Sequence, residues 1–336
     1  MSGVDYRESG VDIDAGNEVV RRIKGLARST YTPGVLSGIG SFGGLFALGA
    51  DVKDPVLVAS ADGVGTKLKV AFMAGVHDTI GQDLVNHCVN DILVQGARPL
   101  FFLDYLATGR LSPDVAEQIV TGMAAACREN SCALLGGETA EMPGFYAPGE
   151  YDVAGFIVGL VGRSNVIDGR TIQPGDALVG LASSGLHTNG YSLARRIAFE
   201  KLGLAVDSHV AELGETVGAA LLRPHRSYLK SIGPLLEAGR IKGMAHITGG
   251  GITENLPRTL PAGTAFSLDR KSWEVPALFR WLQRSGGVSD DEMFRAFNMG
   301  VGLVVVCAPG DVDAVIEGLR ERGESAWRLG QVVPAA

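Results

Sequence analysis

The segment from Ser60 to Lys67 carries the clearest set of chemically capable residues, with the sequence Ser-Ala-Asp-Gly-Val-Gly-Thr-Lys. It follows an apolar run, residues 55–59, that predicts a buried strand. Asp62 supplies a carboxylate, two glycines let the backbone turn and approach a ligand closely, and a hydroxyl and an ammonium follow. Magnesium-bound polyphosphate is recognised by this combination of groups. The segment is not a Walker A loop, because the chain contains no G-x-x-x-x-G-K-[ST] sequence.

A predicted helix from Thr79 to Gln95, with Asp78 as its N-cap, adds a second carboxylate. Plotted at 100° per residue, it has an apolar arc and an opposite polar cluster of Asp83, Asn86, His87 and Asn90. Asp91 lies at the edge of the apolar arc, where it needs a cation or several hydrogen bonds. An arginine would satisfy it, but we favour a metal ion shared with Asp62. We expect His87 to be exposed or one step removed from a ligand.

Two glutamates follow a short predicted strand, in the run Gly-Gly-Glu-Thr-Ala-Glu-Met-Pro-Gly over residues 136–144. Glu138 and Glu141 are three residues apart. Both could bind magnesium, or one could act as a general base. One metal ligand together with one surface salt bridge explains the pair equally well.

Two further loops join predicted strands to predicted helices. In residues 183–190, the start of the helix offers backbone amides to an anion, and His187 could donate to a phosphate, act as an acid or cap the loop. In residues 246–255, the triple glycine at 249–251 predicts a second phosphate cradle. The sequence therefore indicates two phosphorylated ligands, a magnesium-bound nucleotide and a phosphorylated small molecule.

A glycine-rich segment, residues 38–43, matches G-x-G-x-x-G, yet it does not predict a dinucleotide-binding fold. The preceding residues, 29–37, are polar and include Pro33, so no strand leads into the loop. We interpret the segment as a mobile flap over a ligand, the alternative being a plain disordered connection.

A length of 336 residues favours two domains. Proline, glycine and polar residues cluster at residues 163–176, and we predict domains 1–165 and 166–336, each of mixed α+β structure. The net charge of −7 argues against nucleic-acid binding. Neither a membrane span nor a secretory signal is apparent, which predicts a cytoplasmic protein. The four cysteines form no C-x-x-C pair, so we expect buried, reduced thiols.

The order of these motifs resembles that of the phosphoribosylformylglycinamidine cyclo-ligases over nearly the whole chain. Asp-Gly-Val-Gly-Thr-Lys is shared loosely with a wider ATP-binding superfamily, whereas the 136–144 run is much more specific. The motifs that carry the resemblance lie at residues 10–16, 62–67, 88–96, 101–105, 136–144, 187–192 and 246–251.

The resemblance implies an α+β fold of two α/β sandwich-like domains, with mixed or antiparallel sheets and helices on one face. It implies a homodimer joined through its N-terminal sheets and an active site in the cleft between the domains. The reaction would close an imidazole ring in de novo purine biosynthesis, converting formylglycinamidine ribonucleotide and ATP into aminoimidazole ribonucleotide, ADP and phosphate. ATP and Mg²⁺ are the implied cofactors, and neither nucleic acid nor membrane is an implied partner.

The resemblance also implies roles for individual residues. Magnesium would be held by Asp62 and Asp91, with Glu138 or Glu141 as a third ligand. The implied catalytic residues are His187, Asp62 and Glu141. The implied ATP-binding residues beyond the metal ligands are Lys24, Gly40, Gly43, Gly44, Lys67 and Thr139, and the implied substrate-binding residues are His187, Asn189, Thr248, Gly249, Gly250 and Gly251.

Two other functions compete with this interpretation. Thiamine-monophosphate kinase belongs to the same superfamily, but it should lack the Met142-Pro143-Gly144 run after the glutamates. A nucleotide-binding protein without turnover would keep the same loops. Phosphate release from ATP only in the presence of the ribotide would exclude the second alternative.

Overall fold

The computed structural model describes residues 9–40 and 42–335. Its helices and strands, in chain order, are α1 (Ile13–Arg28), β1 (Pro55–Gly63), α2 (Leu68–Ala74), α3 (Asp78–Leu93), β2 (Arg98–Thr108), α4 (Pro113–Glu129), β3 (Ala133–Glu141), β4 (Tyr151–Gly162), β5 (Ala177–Ala182), α5 (Tyr191–Arg195), β6 (His209–Val210), β7 (Glu215–Thr216), α6 (Val217–Leu221), α7 (Leu229–Glu237), β8 (Gly243–His246), α8 (Gly251–Asn255), β9 (Thr264–Leu268), α9 (Ala277–Gly286), α10 (Asp290–Ala296), β10 (Val301–Cys307), α11 (Val312–Glu321) and β11 (Ala326–Pro334).

These elements form two compact units. The first extends to Ile92 and resumes with Arg98–Gly162, whereas the second contains Leu93–Ala97 and the chain from Arg163 onward. The short segment Leu93–Ala97, predicted as part of the first domain, therefore belongs to the second unit. Its assignment has a physical reason, since Leu93 is fully buried in the core of the second unit beside Tyr228.

The first unit contains a four-stranded sheet with the order β1-β4-β2-β3. The β1–β4 and β4–β2 pairs are antiparallel, and the β2–β3 pair is parallel. Helix α4 connects β2 to β3, as a parallel pair requires a crossover connection. The register aligns Asp62, Gly155, Asp104 and Gly137 in one row across the four strands.

The two faces of this sheet differ in exposure. On one face Val58, Phe102 and Ile157 are buried. On the other face the side chains of Leu57 and Phe156 are 56% and 46% exposed. Because successive strand residues point to opposite sides, this alternation leaves an apolar, solvent-facing surface on one side of the first unit.

Local sequence signals set the helix starts in the first unit. The Asp12 carboxylate accepts hydrogen bonds from the backbone amides of Asp14 and Ala15 at 3.1 and 3.2 Å, so Asp12 caps α1, which begins at Ile13. Helix α4 begins at Pro113, because proline suits the first turn of a helix.

Helices α3 and α4 pack closely through two glycines. A Cβ atom at Gly81 would lie 2.0 Å from the carbonyl oxygen of Ile119, and one at Gly122 would lie 1.8 Å from that of Asp78. The two backbones are therefore in direct contact at this crossing. Glycine at both positions permits that approach, which fixes the position of α3 within the unit.

The second unit contains a five-stranded antiparallel sheet with the order β8-β10-β5-β11-β9. Its strand β10 is buried along its whole length. Apolar clusters cover both faces of the sheet, one containing Val305 and Ile232 and the other containing Val304 and Ile252. Two mixed helix-and-sheet units agree with the predicted α+β class.

All four cysteines are free and buried, in agreement with the sequence prediction. Within residues 9–40 and 42–335, the structure has no helix with the combined length and apolarity needed to cross a bilayer.

Candidate active site

Asp62 and Asp91 lie close together, as the sequence predicted. Asp62 is near the end of β1, and Asp91 is in the last turn of α3. Both carboxylates approach one nitrogen, His87 Nε2, with Oδ2 of Asp62 at 2.7 Å and Oδ2 of Asp91 at 3.7 Å. The hydroxyl of Ser60 donates to Oδ2 of Asp91 at 3.0 Å. Two converging carboxylates are the donor set that Mg²⁺ prefers, so these residues fit the predicted ion.

Of the two expectations for His87, exposure to solvent is wrong, whereas a position one step removed from a ligand agrees with its contact to Asp62. Its side chain is only 4% exposed and contacts Asp62 directly. The whole polar cluster of α3 is buried, because Asp83, Asn86 and Asn90 are also at most 6% exposed. The sequence did contain one signal for this contact. His87 precedes Asp91 by four residues, and residues four apart lie on the same face of a helix.

The two carboxylates alter the titration of this histidine. Burial by itself lowers the pKa of His87, but the hydrogen bond to Asp62 and the charges of Asp91, Asp62 and Asp83 together raise it. The same negative charge favours a bound cation at this place.

Lys67 is not open to a ligand in this structure. Its ammonium lies 2.8 Å from each carboxylate oxygen of Asp83, and neither side chain is exposed. The predicted contact between Lys67 and ATP phosphates conflicts with this placement. No sequence signal pointed directly to the pairing, because Asp83 lies 16 residues later on what looked like a solvent-facing side of the helix.

Glu138 and Glu141 do not point to the same side of the sheet. The strand was predicted to end at Leu135, whereas β3 continues to Glu141. Residues three apart on a strand face opposite ways. Glu138 is exposed, whereas both oxygens of Glu141 accept backbone hydrogen bonds, from Asp12 at 2.6 Å and Leu111 at 2.7 Å. Glu141 therefore anchors the start of α1, which conflicts with its predicted catalytic role. Glu138 lies one row away from Asp62 and on the opposite edge strand, so it faces the other side of the sheet, and its predicted place as a third magnesium ligand beside Asp62 conflicts with the structure. The predicted contact of Thr139 with ATP stays a prediction.

The predicted flap is a paired arm. Val35 forms an isolated bridge with Phe46, and the backbone amide of Leu36 donates to the carbonyl oxygen of Leu45 at 2.8 Å. Gly40, Gly43 and Gly44 are exposed in this arm, as is Lys24 on α1. Ser41 lies outside the described residues. A pairing of this kind does not fit a plain disordered connection, whereas the predicted contact of the arm with ATP stays a prediction.

In the second unit, His187 is buried and not open to a ligand. Its backbone is left-handed, with φ of 61°, its side chain is 0% exposed, and the amide of Ser184 donates to its Nε2 at 3.1 Å. Its ring stacks on that of His225 at 4.0 Å, and His225 Nε2 lies 3.0 Å from His246 Nε2. The predicted roles of His187 as an acid and as a substrate contact conflict with this burial. The stacking itself could not be inferred, because His225 belongs to no motif.

The triple-glycine loop is fixed from inside by Asn255, the last residue of the 246–255 segment, for which no role was predicted. The side-chain amide of Asn255 donates to the carbonyl oxygens of Gly249 at 3.0 Å and Gly251 at 2.8 Å. A Cβ atom at Gly251 would lie 1.9 Å from the carbonyl oxygen of Phe294. Gly249, by contrast, is exposed. The loop is therefore preformed, with Gly249 rather than Gly251 at its surface.

Asn189 lies beside this loop. Its Oδ1 is 3.3 Å from the position that a Cβ atom at Gly249 would occupy. Among the described residues, no hydrogen-bond partner satisfies its buried Nδ2. The side chain of Asn189 thus lies beside the exposed glycine, and the phosphate cradle at this loop stays a prediction.

The second glycine of the 136–144 run has a packing role that yields a testable prediction. A Cβ atom at Gly137 would lie 2.6 Å from the backbone oxygen of Asp104, whereas at Gly136 the nearest atom would be 3.8 Å away, on Leu103. Gly137→Ala is expected to lower the free energy of unfolding by about 1–3 kcal/mol, and Gly136→Ala, the matched control, much less. Urea denaturation of both variants checks this, and equal losses would contradict the packing explanation.

Asp104 predicts a pH dependence of stability. Burial raises its pKa to about 7, well above the value of 3.8 for an unperturbed aspartate. Between these two values the folded state keeps a proton that the unfolded state has released, so this contribution to stability is lost as the pH rises from about 4 to about 7. Asp104→Asn removes the titration. As the pH rises from 5 to 8, the free energy of unfolding of the wild type should fall by roughly 1–3 kcal/mol relative to that of the variant. Urea denaturation of both proteins across this pH range measures the difference. A constant difference across that range would contradict the prediction.

Comparison with known proteins identifies the family. Residues 47–161 match the model of the AIR synthase related protein N-terminal domain, and residues 173–336 match that of its C-terminal domain. The phosphoribosylformylglycinamidine cyclo-ligase of Trichlorobacter lovleyi is 57% identical over 97% of this chain and 94% of its own length. That of Sorangium cellulosum is 57% identical over 98% and 95%, respectively.

Solved structures share the fold at low sequence identity. Thiamine-monophosphate kinase from Stenotrophomonas maltophilia has a TM-score of 0.70 at 21% identity and covers 95% of this chain and 94% of its own. A hydrogenase maturation protein HypE, solved in complex with ATP, has a TM-score of 0.64 at 20% identity, covering 94% and 87%. These likenesses concern the fold alone, whereas the family models and the 57% identical relatives show that the chain belongs to the phosphoribosylformylglycinamidine cyclo-ligase family.

Proposed function

We propose that this protein closes the imidazole ring of aminoimidazole ribonucleotide in de novo purine biosynthesis, using formylglycinamidine ribonucleotide and ATP and releasing ADP and phosphate. The observation that carries the proposal is the 57% identity to named cyclo-ligases over nearly the full length of both chains. The thiamine-monophosphate kinase alternative is supported only by a shared fold at 21% identity.

The reaction proceeds by activation and then displacement. The γ-phosphoryl group of ATP passes to the formyl oxygen, and ADP leaves. The amidine-side nitrogen then bonds to the formyl carbon and loses a proton, and the C–O bond breaks with release of phosphate. Positioning of the reactants and neutralisation of phosphate charge supply most of the rate enhancement in such phosphoryl transfers.

In this proposal the first unit holds the nucleotide. Asp62 and Asp91 hold Mg²⁺, supported by the approach of both carboxylates to His87 Nε2 at 2.7 and 3.7 Å. When bound, the ion neutralises charge on the polyphosphate. Exposed Lys24, half-buried Thr139 and the exposed glycines of the paired arm bind ATP.

The second unit holds the ribotide. The exposed backbone at Gly249, with the side chain of Asn189 beside it, supports a contact with the substrate phosphate. Thr248 and Gly250 complete the cradle. Buried His187 holds the preceding loop through the hydrogen bond from Ser184 to its Nε2, rather than reaching the substrate itself.

The assembly in this proposal is a homodimer in the cytoplasm. The apolar face that carries Leu57 and Phe156, with side chains about half exposed, supports pairing through the sheet of the first unit. Four free thiols suit a reducing compartment. Sedimentation of the purified protein, compared with a Phe156→Glu variant, measures the oligomeric state directly.

A coupled assay tests the reaction. Purified protein is incubated with formylglycinamidine ribonucleotide, ATP and Mg²⁺, and the formation of ADP and of aminoimidazole ribonucleotide is followed together. We expect the two products in equal amounts and neither without the ribotide. Phosphorylation of thiamine monophosphate instead would favour the kinase, and nucleotide binding without release of phosphate with any ribotide would favour a non-catalytic protein.

A further inference from the structure

The buried pair of Lys67 and Asp83 occupies one end of a row of polar contacts. On α3, Asp83, His87 and Asp91 are spaced four residues apart and therefore lie on one helix face. Their respective partners are Lys67 at 2.8 Å, Asp62 at 2.7 Å and Ser60 at 3.0 Å. As the chain runs from Ser60 to Lys67, the partners on the helix run in the opposite direction.

This row fixes the alignment of two segments that are distant in sequence. The segment from Ser60 to Lys67 leaves a sheet strand, turns through Gly65 with φ of 67°, and enters α2. Residues 60–63 are held in β1 by pairing with β4 and Val64 is buried, whereas residues 65–67 form the turn that leads to α2. The contact farthest from the carboxylate pair, Lys67 with Asp83, sets where the turn ends on the helix.

Net stability does not account for a buried ion pair of this kind. The loss of hydration by two buried charges offsets most of their attraction, and replacement by apolar residues of similar volume is often neutral or stabilising. Burial lowers the pKa of Lys67, although the charge of Asp83 and its hydrogen bond oppose that effect. The best-attested use of such pairs is to select one alignment among competing ones.

We propose that Asp83 is a positioning residue for the nucleotide site. Through Lys67 it holds the segment from Ser60 to Lys67 in register on α3, so that Asp62 and Asp91 meet at a distance suited to one ion. The lysine of the Asp-Gly-Val-Gly-Thr-Lys motif thus acts on the metal site from inside the protein and not as a phosphate ligand. The inference rests on the proposed use of magnesium and ATP.

A double substitution separates positioning from direct binding. Lys67→Met and Asp83→Leu, each alone, leave one buried charge unpaired, and the combined variant replaces the pair by apolar side chains. We expect each single variant to lose at least about tenfold in turnover and to need more Mg²⁺ for half-maximal rate. The double variant should recover to within about threefold of the wild type. Recovery is incompatible with a phosphate-binding lysine, because no ammonium remains.

The matched control is Lys69→Met, since Lys69 is two residues away and also ion-paired, with Glu150 at 2.5 Å, but its side chain is 41% exposed. It should leave turnover and Mg²⁺ requirement unchanged. A folded double variant as inactive as Lys67→Met would overturn the inference.

Asp83→Asn serves as a further test because it keeps the size of the side chain and a hydrogen-bond acceptor. We expect this variant to need more Mg²⁺ for half-maximal rate while its KM for the ribotide stays unchanged. General destabilisation of the protein does not change one of these quantities without the other. An unchanged Mg²⁺ requirement in this variant overturns the inference even where the double variant fails to fold. If the wild type itself forms no aminoimidazole ribonucleotide, the proposed function fails instead, which is a separate result.

Discussion

Asp62→Asn should abolish magnesium-dependent use of ATP while the protein stays folded. The substitution removes a charge that faces His87 at 2.7 Å and, in the proposed function, the ion itself. Loss of one preorganised electrostatic contact at a reacting phosphate typically costs roughly 10²–10³ in turnover. The side chain is 47% exposed, so its loss leaves no buried cavity. Initial rates of ADP formation across a Mg²⁺ series, together with the thermal midpoint, measure both effects.

The control for this variant is Asp114→Asn. Asp114 is also in the first unit, with a side chain 80% exposed and paired with Arg22 at 2.7 Å. Exposed pairs contribute little, so neither turnover nor the thermal midpoint should change measurably. Turnover retained by Asp62→Asn would remove Asp62 from the metal site.

Gly122→Ala should be the most damaging single-methyl change to the fold of the first unit. Its Cβ would lie 1.8 Å from the backbone oxygen of Asp78. A backbone oxygen cannot move aside as a flexible side chain can, so α3 and α4 must separate. We expect a loss of about 3 kcal/mol or more. Because α3 carries His87 and Asp91, turnover should also fall in the fraction that remains folded.

Gly25→Ala is the matched control, with an expected effect of opposite sign. Gly25 lies inside α1, and beyond the backbone of that helix no heavy atom lies within 4 Å of the position that a Cβ atom would occupy there. Alanine in a helix interior is favoured over glycine by about 0.5–1 kcal/mol. Chemical denaturation of the two variants compares them directly, and a similar loss in both would show that the close helix crossing does not decide the result.

The proximity of Asp62 to Asp91 could be proposed from the sequence because each carboxylate leaves a local signal, although the contact itself joins distant segments. A strand that ends in a carboxylate and a helix with a carboxylate on its apolar edge both leave a signal in sequence spacing. The α+β class and the start of α4 at Pro113 were predictable for the same reason. Family membership followed from the order of the motifs, above all from residues 136–144.

The partners of buried polar groups needed the tertiary structure. The polar side of α3 looked solvent-facing because a helical plot shows which residues share a face but not what covers that face. Asp83 and His87 are in fact buried against the segment that contains Lys67 and Asp62. The role of Lys67 changed accordingly, from a surface ligand to half of an internal ion pair.

Strand length and long-range contacts decided the remaining differences. A glycine pair after Leu135 suggested a loop, but pairing with β2 extends the strand to Glu141, so the two glutamates face opposite ways. Likewise, the stacking of His187 on His225 joins residues that are distant in sequence and share no motif. The sequence alone determined which residues carry the chemistry of the first unit, through local spacing. Only tertiary packing decided which of them face a ligand and which hold the others in place, because burial depends on contacts between distant segments.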